Sequence, residues 1–453
     1  MKRFKTYEPR QSYLLPPSPQ EWLPLDHLAH FIDDVVDRLD LSAVFAGYEG
    51  TKGQPPYHPE MMVRVWLYAY CVGIRSSRRL ERALYEDIGF RMLSGNQQPD
   101  HWTLSEFRRR HLDALGELFT QTVKLAQRAG LVKLGQVAID GTKVKANASK
   151  HRAMSYQRME KEERRLREEI TRYFSEVETT DCAEDEAYGA KRGDELPDHL
   201  KTEGQRLAAI EEAMAALEAE AKEKAAGEQE KRRKEAEKAG RTYRPRKDPK
   251  EARPSPKAQR NFTDPDSRIM KNADKAFIQA YNGQIAVDVE SQVIVAAALT
   301  NQAADAPHLV RLVEQVRRIT GKKPREVLAD AGYFSEDNVT TLEKGGMSVL
   351  IPPERVKHRD WRASCDPPGA SLPADATVAE KMKRRLKVSA NRERYRQRDR
   401  SVEPVFGQMK QARGLRQFLL RTLRKVLASW RLECAVHNLL KLYRAKALEP
   451  ATG

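Results

Sequence analysis

The sequence predicts an α/β protein: a mixed sheet with flanking helices, preceded by a helical N-terminal region and interrupted by an insertion of long helices. Three observations carry the prediction. The first 130 residues show helical periodicity and capping signals, two apolar runs end in aspartate (VAID at 137–140 and VLAD at 327–330), and residues 151–263 are rich in Ala, Glu, Lys and Arg. A chain of 453 residues has room for two or three folding units. Their expected bounds are 1–130 for the helical domain, 131–150 with 264–445 for the α/β domain, and 151–263 for the insertion.

Within the helical region, HPEMMVRVWLYAYCVGI opens with Pro59, suited to a first turn, and is apolar almost all round, as a core helix is. In SSRRLERALYEDIGFRML, Ser77 is the expected cap, and Thr103 with Glu106 reads as a capping box before FRRRHLDALGELFTQTVKLAQRAG. From Gln136, GQVAIDGTKVK reads as a short strand ending in Asp140. The insertion carries two long helical periods and the expectation of an antiparallel coiled-coil arm. Its return segment, RTYRPRKDPKEARPSPKAQR, has the Pro and charge content of a flexible tether. FIQAYNGQIAVDVE and QVIVAAALTN then form an expected antiparallel hairpin, followed by a helix in APHLVRLVEQVRRIT, a strand ending in Asp330, a helix capped by Ser335, and a last strand in GMSVLIPP.

A net charge of +16 and a pI near 9.5 point to a polyanionic partner, since clustered Lys and Arg gain affinity by releasing counterions from nucleic acid. The charge is concentrated: Lys381 to Lys425 holds sixteen Lys or Arg against three acids, and this segment is the expected DNA-facing surface. No run approaches 18 apolar residues, and the start lacks a sustained apolar core, so neither a membrane span nor a signal peptide is expected and a cytoplasmic, nucleoid-associated protein is. Cys71, Cys182, Cys365 and Cys434 lie far apart without a C-x-x-C pair, which argues against a zinc site or a disulfide framework and for inert thiols.

Strand ends at the middle of an α/β sheet are where sites assemble. Asp140 and Asp330 are both expected there, although an aspartate after a strand is, singly, more often a turn or cap residue. The third acid lies in RDRSVEPVFGQMKQARG. If Ser401 caps a helix, Glu403 and Pro404 fall in its first turn, where the missing proline N–H costs no bond; Val402, Val405, Phe406 and Met409 form the buried stripe, with Lys410 two turns beyond Glu403. Three carboxylates in basic surroundings suit two Mg²⁺ (or Mn²⁺) ions roughly 3.5 to 4 Å apart that clamp a phosphodiester in line. That chemistry predicts that Asp140, Asp330 and Glu403 are both the catalytic residues and the metal ligands, and that they converge.

These segments resemble the insertion-sequence DDE transposases, specifically the family numbered eleven-eighty-two. The resemblance lies in GQPPYHPEMMVRVWLYAY, AIDGTKVKANASK, DPDSRIMK with AYNGQIAVD, LADAGYFSEDN and YRQRDRSVEPVFGQMKQARGLRQFLLR. It implies a ribonuclease-H-like catalytic fold, divalent metal, binding of terminal inverted repeats and target DNA, and a homodimer in a synaptic complex. The related Tyr, Arg, Glu, Lys signature maps onto Tyr395, Arg398, Glu403 and Lys410 as the DNA-facing set. Four residues rather than three separate Arg398 from Glu403, which leaves the arginine's place to Arg398 or Arg400. A hydrolytic nuclease of the same fold would use the same acids and metals without joining strands. A non-enzymatic DNA-binding coiled-coil protein would account for the charge and the insertion but not for the three acids.

Overall fold

A computed structural model describes residues 18–48, 55–188, 198–238, 240–243, 245, 248–272, 274–354 and 375–446. The chain begins with helices α1 (Pro19–Trp22), α2 (Leu28–Val36), α3 (Ser42–Phe45), α4 (Pro59–Cys71), α5 (Ser77–Glu86), α6 (Ile88–Leu93), α7 (His101–Arg110) and α8 (Leu112–Arg128). Pro59 occupies the first turn of α4 as its fixed φ favours, and nearly the whole of that helix is buried. Two capping expectations shift. Ser76, not Ser77, precedes α5, and α7 is capped by Asp100, whose carboxylate accepts the Thr103 N–H at 2.7 Å; Glu106 pairs with Arg109 instead of closing a box with Thr103.

Next come β1 (Gln136–Lys145), β2 (Ala153–Ser155), α9 (Tyr156–Tyr188), α10 (Asp198–Lys238), β3 (Gln259–Asn261), β4 (Arg268–Lys271), β5 (Phe277–Asp288) and β6 (Ile294–Thr300). They are followed by α11 (Leu309–Thr320), β7 (Glu326–Ala329), α12 (Glu336–Lys344), β8 (Ser348–Leu350), α13 (Val378–Lys387), α14 (Ser389–Gly407), a π-helical turn (Gln408–Ala412) and α15 (Leu423–Arg444). Six strands form one mixed sheet in the order β4, β5, β1, β7, β8, with β6 also on β5. β1 lies at its centre, antiparallel to β5 and parallel to β7. The predicted β5–β6 hairpin, the strand leading to Asp330 and the last strand are all present.

Both faces of the sheet are covered, which is why its central strands are apolar on both sides. On one face lie α14 and α15. Gly283 of β5 allows this close approach, because a Cβ there would meet the Trp430 ring of α15 at 2.8 Å. The helices of residues 18–128 do not keep a core of their own: α8 packs along α15, and the buried side chains of α2 to α8 are continuous with those of the sheet. No helix among the described residues is long and apolar enough to cross a membrane.

The insertion is the expected pair of long helices, running antiparallel: Glu162 of α9 meets Arg206 of α10 at 2.8 Å, and Tyr156, earlier in α9, donates its hydroxyl to Glu218, later in α10, at 2.6 Å. At its base Tyr156, Met159, Leu166, Ile210 and Leu217 bury one another in a small separate cluster. The return segment is anchored at its end. β3 pairs with β2, and the Tyr156 N–H donates to the Ala258 carbonyl at 2.8 Å, so the two ends of the insertion are stitched together. Gln259 and Arg260, at the end of a stretch that reads as Pro-rich and polar, are held because their backbone finds a strand partner more than a hundred residues earlier.

Candidate active site

Asp140 does not end its strand. β1 continues through Gly141 to Lys145, because β5 is long enough to pair with it as far as Lys145 opposite Ala280; only the parallel pairing with β7 stops, at Ile139 opposite Ala329. Asp140 therefore stands where one neighbour strand ends and the sheet opens. Asp330 follows β7 directly and caps a short 3₁₀ turn, its Oδ1 accepting the Gly332 N–H at 2.9 Å. The Asp140 Oδ1 likewise accepts its neighbour's N–H, from Gly141 at 2.7 Å. Each aspartate thus uses one oxygen to hold its own backbone, and the Asp140 Oδ2 is left to receive Arg398 Nη1 at 3.0 Å.

The two aspartates are near enough that the charge of one raises the proton affinity of the other. Burial, then Asp330 and Asp305 against the opposing pull of Arg398, pushes the Asp140 carboxyl up to about 6. Burial works against the Arg398 guanidinium, but Asp140, Tyr395, Asp399 and Asp330 outweigh it and raise its pKa. Tyr395 lies beside Arg398, its hydroxyl pushed up to about 12, mainly by burial. Lys410, in the π-helical turn, donates to the Thr142 hydroxyl two residues along β1 from Asp140, and burial lowers its pKa despite the attraction of Asp140. Arg400 faces outward and pairs with Glu393 at 3.0 Å. Of the two arginines left open by the spacing, Arg398 is the one at the acids.

Glu403 is placed differently from what its spacing implies. Ser401 does not cap a helix: α14 is continuous from Ser389 to Gly407, and the buried Ser401 hydroxyl donates to the Gln397 and Arg398 carbonyls. Pro404 sits inside that helix, and the Arg400 carbonyl that its missing N–H leaves open accepts Gln292 Nε2 at 3.2 Å. Val402, Val405 and Met409 are fully buried, as expected, while Glu403 is exposed. Glu403 lies five positions beyond Arg398, which is about 140° around a helix of 3.6 residues per turn. With Arg398 turned to Asp140, Glu403 faces elsewhere. Among the described residues no hydrogen bond or ion pair joins it to either aspartate, and no group of three His, Cys, Asp or Glu is arranged to hold a metal ion. The structure brings Asp140, Asp330, Arg398, Tyr395 and Lys410 together and leaves Glu403 and Arg400 on the outer side of α14.

One acid at this site carries no sequence signal. Asp305, in the loop after β6, accepts Lys143 Nζ at 3.1 Å, Asn282 Nδ2 at 2.7 Å and Gln284 Nε2 at 2.7 Å, on the sheet face opposite Arg398. Gln284 in turn accepts the Tyr333 hydroxyl. This buried network lies under the Asp140–Asp330 edge, and Gly141 leaves room for it: a Cβ there would lie 3.0 Å from both Asn282 Oδ1 and Asp305 Oδ1. A single loop aspartate in NQAADAPH has no periodicity or spacing to mark it. Cys71 and Cys434 are buried, and burial pushes the Cys71 thiol up to about 12, which fits inert thiols; Cys365 and the Cys182 side chain lie outside the described residues.

The raised Asp140 pKa has a measurable consequence. An aspartate that ordinarily titrates at 3.8 and is raised to about 6 by folding contributes its full stability below pH 3.8 and loses it as pH rises through 6. With chelator present, Asp140→Asn should therefore be more stable than the parent at pH 8, by on the order of 1–3 kcal/mol, and should lose that advantage at pH 4. Melting curves at the two pH values check this, and an advantage that is the same at both would show that the carboxylate is not strained.

Two family profiles match the chain. Residues 17–110 match "Transposase domain (DUF772)" and residues 251–439 match "Transposase DDE domain". Asp330 and Glu403 fall within the second match, while Asp140 lies upstream of it, across the inserted helices. No curated protein and no solved structure gave a match. The DDE domain implies a ribonuclease-H-like fold, consistent with the mixed sheet centred on β1.

Proposed function

The chain is a DDE transposase, and from that premise we propose that it binds the terminal inverted repeats of an insertion sequence, cuts there and joins the freed end to target DNA, acting as a homodimer. The observation that carries the reading is the pair Asp140 and Asp330 at the open sheet edge with a cationic side chain lying on it. The DDE family uses divalent metal ions. The residues present suit one: burial and the neighbouring carboxylates hold the Asp140 carboxyl above its ordinary value, and a cationic group, Arg398, already lies on its Oδ2. We assign Asp140, Asp330 and Glu403 as the carboxylates that hold two Mg²⁺ or Mn²⁺ ions. When bound, such ions make water or a 3′-hydroxyl nucleophilic and stabilise the leaving oxygen. Glu403 enters through its place in the matched domain, on the helix that carries Arg398, and its carboxylate would have to turn inward to join the pair.

The chain's own residues do the rest. Arg398 would exchange Asp140 for the scissile phosphate, keeping a donor fork against the charge that develops there. Lys410, anchored on Thr142, would hold a neighbouring phosphate as a point charge. Tyr395, kept neutral by burial, would orient the arginine. The Asp305 network would hold β1 and β5 rigid behind the acids.

Incubating the protein with Mg²⁺, a labelled element end and a target plasmid should yield a covalently joined product. Cleaved ends with no joined product would support the hydrolytic nuclease instead, and metal-independent binding without cleavage would support neither enzyme.

A further inference from the structure

Beyond Asp140, β1 runs on into a second feature of the sheet edge. Where β1 ends, a groove of about 820 Å³ opens between the base of the inserted helices, the β4–β5 turn and the segment before α15. Lys145, Lys150, His151, Arg152 and Arg421 line it, and no Asp or Glu does. Among the described residues none of Lys145, Lys150, Arg152 or Arg421 is paired with a carboxylate; Arg421 donates only to the Asn147 carbonyl, at 3.2 Å. Several arginines elsewhere in the same sheet and its helices are engaged: Arg394 with Glu326, Arg398 with Asp140, Arg431 with Glu117. Clustered unpaired cations repel one another and need an anion to be stable together. At the same groove Phe277, the first residue of β5, is 63% exposed, which leaves most of a large apolar ring open to water.

Cations that track a backbone beside an aromatic face that accepts a base are the two elements of a single-strand site. We propose that this groove binds an unpaired stretch of the DNA strand running on from the reacting phosphate, with its phosphates on Lys145, Lys150, Arg152 and Arg421 and a base stacked on Phe277. The placement rests on the transposase reading of the Asp140 edge. Lys145 stands five residues along the same strand from Asp140, about 17 Å at roughly 3.4 Å per residue. That is the rise of about five base pairs, and fewer nucleotides of an extended strand cover it. The volume is that of a pocket able to enclose a nucleotide. The groove is separate from the Lys381–Lys425 segment, apart from Gln417 and Arg421.

The test uses the full chain and three fluorescent probes of one sequence: a single strand, a blunt duplex, and a duplex with a four-nucleotide unpaired tail. Replacing Lys145, Lys150 and Arg152 together by Ala should lower the slope of log K against log salt for the tailed duplex by about 2, from three lost phosphate contacts at roughly 0.7 each. Phe277→Ala should weaken the tailed duplex about tenfold and leave the blunt duplex within twofold, while Phe277→Trp should keep the preference for the tail. These side chains are exposed, and circular dichroism on each variant confirms that folding is kept. An unchanged salt slope and unchanged tail preference would overturn the proposal. Equal loss on blunt and tailed duplex would also overturn it, showing a duplex surface instead. If the parent protein neither cuts nor joins element ends but its tail binding depends on these residues, the transposition reading fails and the groove stands. If joining is normal and the variants bind as the parent does, the groove fails and the reading stands.

Discussion

Replacing Asp140 or Asp330 by Asn should lower cleavage of an element end by at least about a thousandfold while leaving its binding within a few-fold of the parent. The amide keeps the side chain's shape and can still reach its neighbours, but it loses the anionic donor that a hard cation requires. Binding is expected to persist because the residues proposed to carry it are Lys and Arg spread over α13, α14 and the groove at the end of β1. Glu403→Gln is the sharper measurement. If Glu403 turns inward when metal and DNA bind, its loss should match that of the aspartates. A Glu403→Gln enzyme that cuts at near-parental rates would remove this residue from the site and leave the Asp140–Asp330 pair as the only part of the triad in use. Gel-shift and cleavage assays on the same preparations separate the two effects.

The largest expected effect on stability lies away from the acids. Glu433 of α15 is fully buried, and its carboxylate is shared by two guanidiniums: Arg75, from the loop between α4 and α5, grips both oxygens, and Arg413, just after the π-helical turn, lies at 3.7 Å. Arg75 also donates to the Arg413 carbonyl, and Arg413 to the Glu433 carbonyl at 3.2 Å. Among the described residues the Arg413 Nε and Nη2 have no hydrogen-bond partner, and burial pulls its pKa down. One anion thus holds two buried cations from separate parts of the chain. Glu433→Gln should destabilise the protein by about 3–5 kcal/mol, since it leaves both charges uncompensated in a low-dielectric interior. Adding Arg413→Met should restore part of that loss by removing one orphaned charge. If the double variant is no more stable than Glu433→Gln alone in urea unfolding, lost packing rather than unpaired charge is the cause.

What could be read from residue order was what local chemistry decides. Apolar runs bounded by Gly and Pro located the central strands, and VAID and VLAD placed Asp140 and Asp330 at the ends of two such runs in one sheet, where the sheet opens; that the two strands are neighbours is what the fold added. Long helical periods with few large apolar residues located the insertion. The signature around the third acid placed Glu403 and Lys410 on one helix but put Arg398 and Arg400 ahead of its start, whereas the helix begins at Ser389. Tertiary packing decided the rest. How far β1 runs past Asp140 is set by the length of β5, which lies more than a hundred residues on. Whether Ser401 starts a helix or sits inside one depends on the partner found for the Arg400 carbonyl, and that partner, Gln292, is in the β5–β6 turn. Asp305 becomes part of the site only because Lys143, Asn282 and Gln284 converge on it from two strands. Arg398 rather than Arg400 meets Asp140 because burial of Val402, Val405 and Met409 fixes the rotation of α14, and that same rotation turns Glu403 outward.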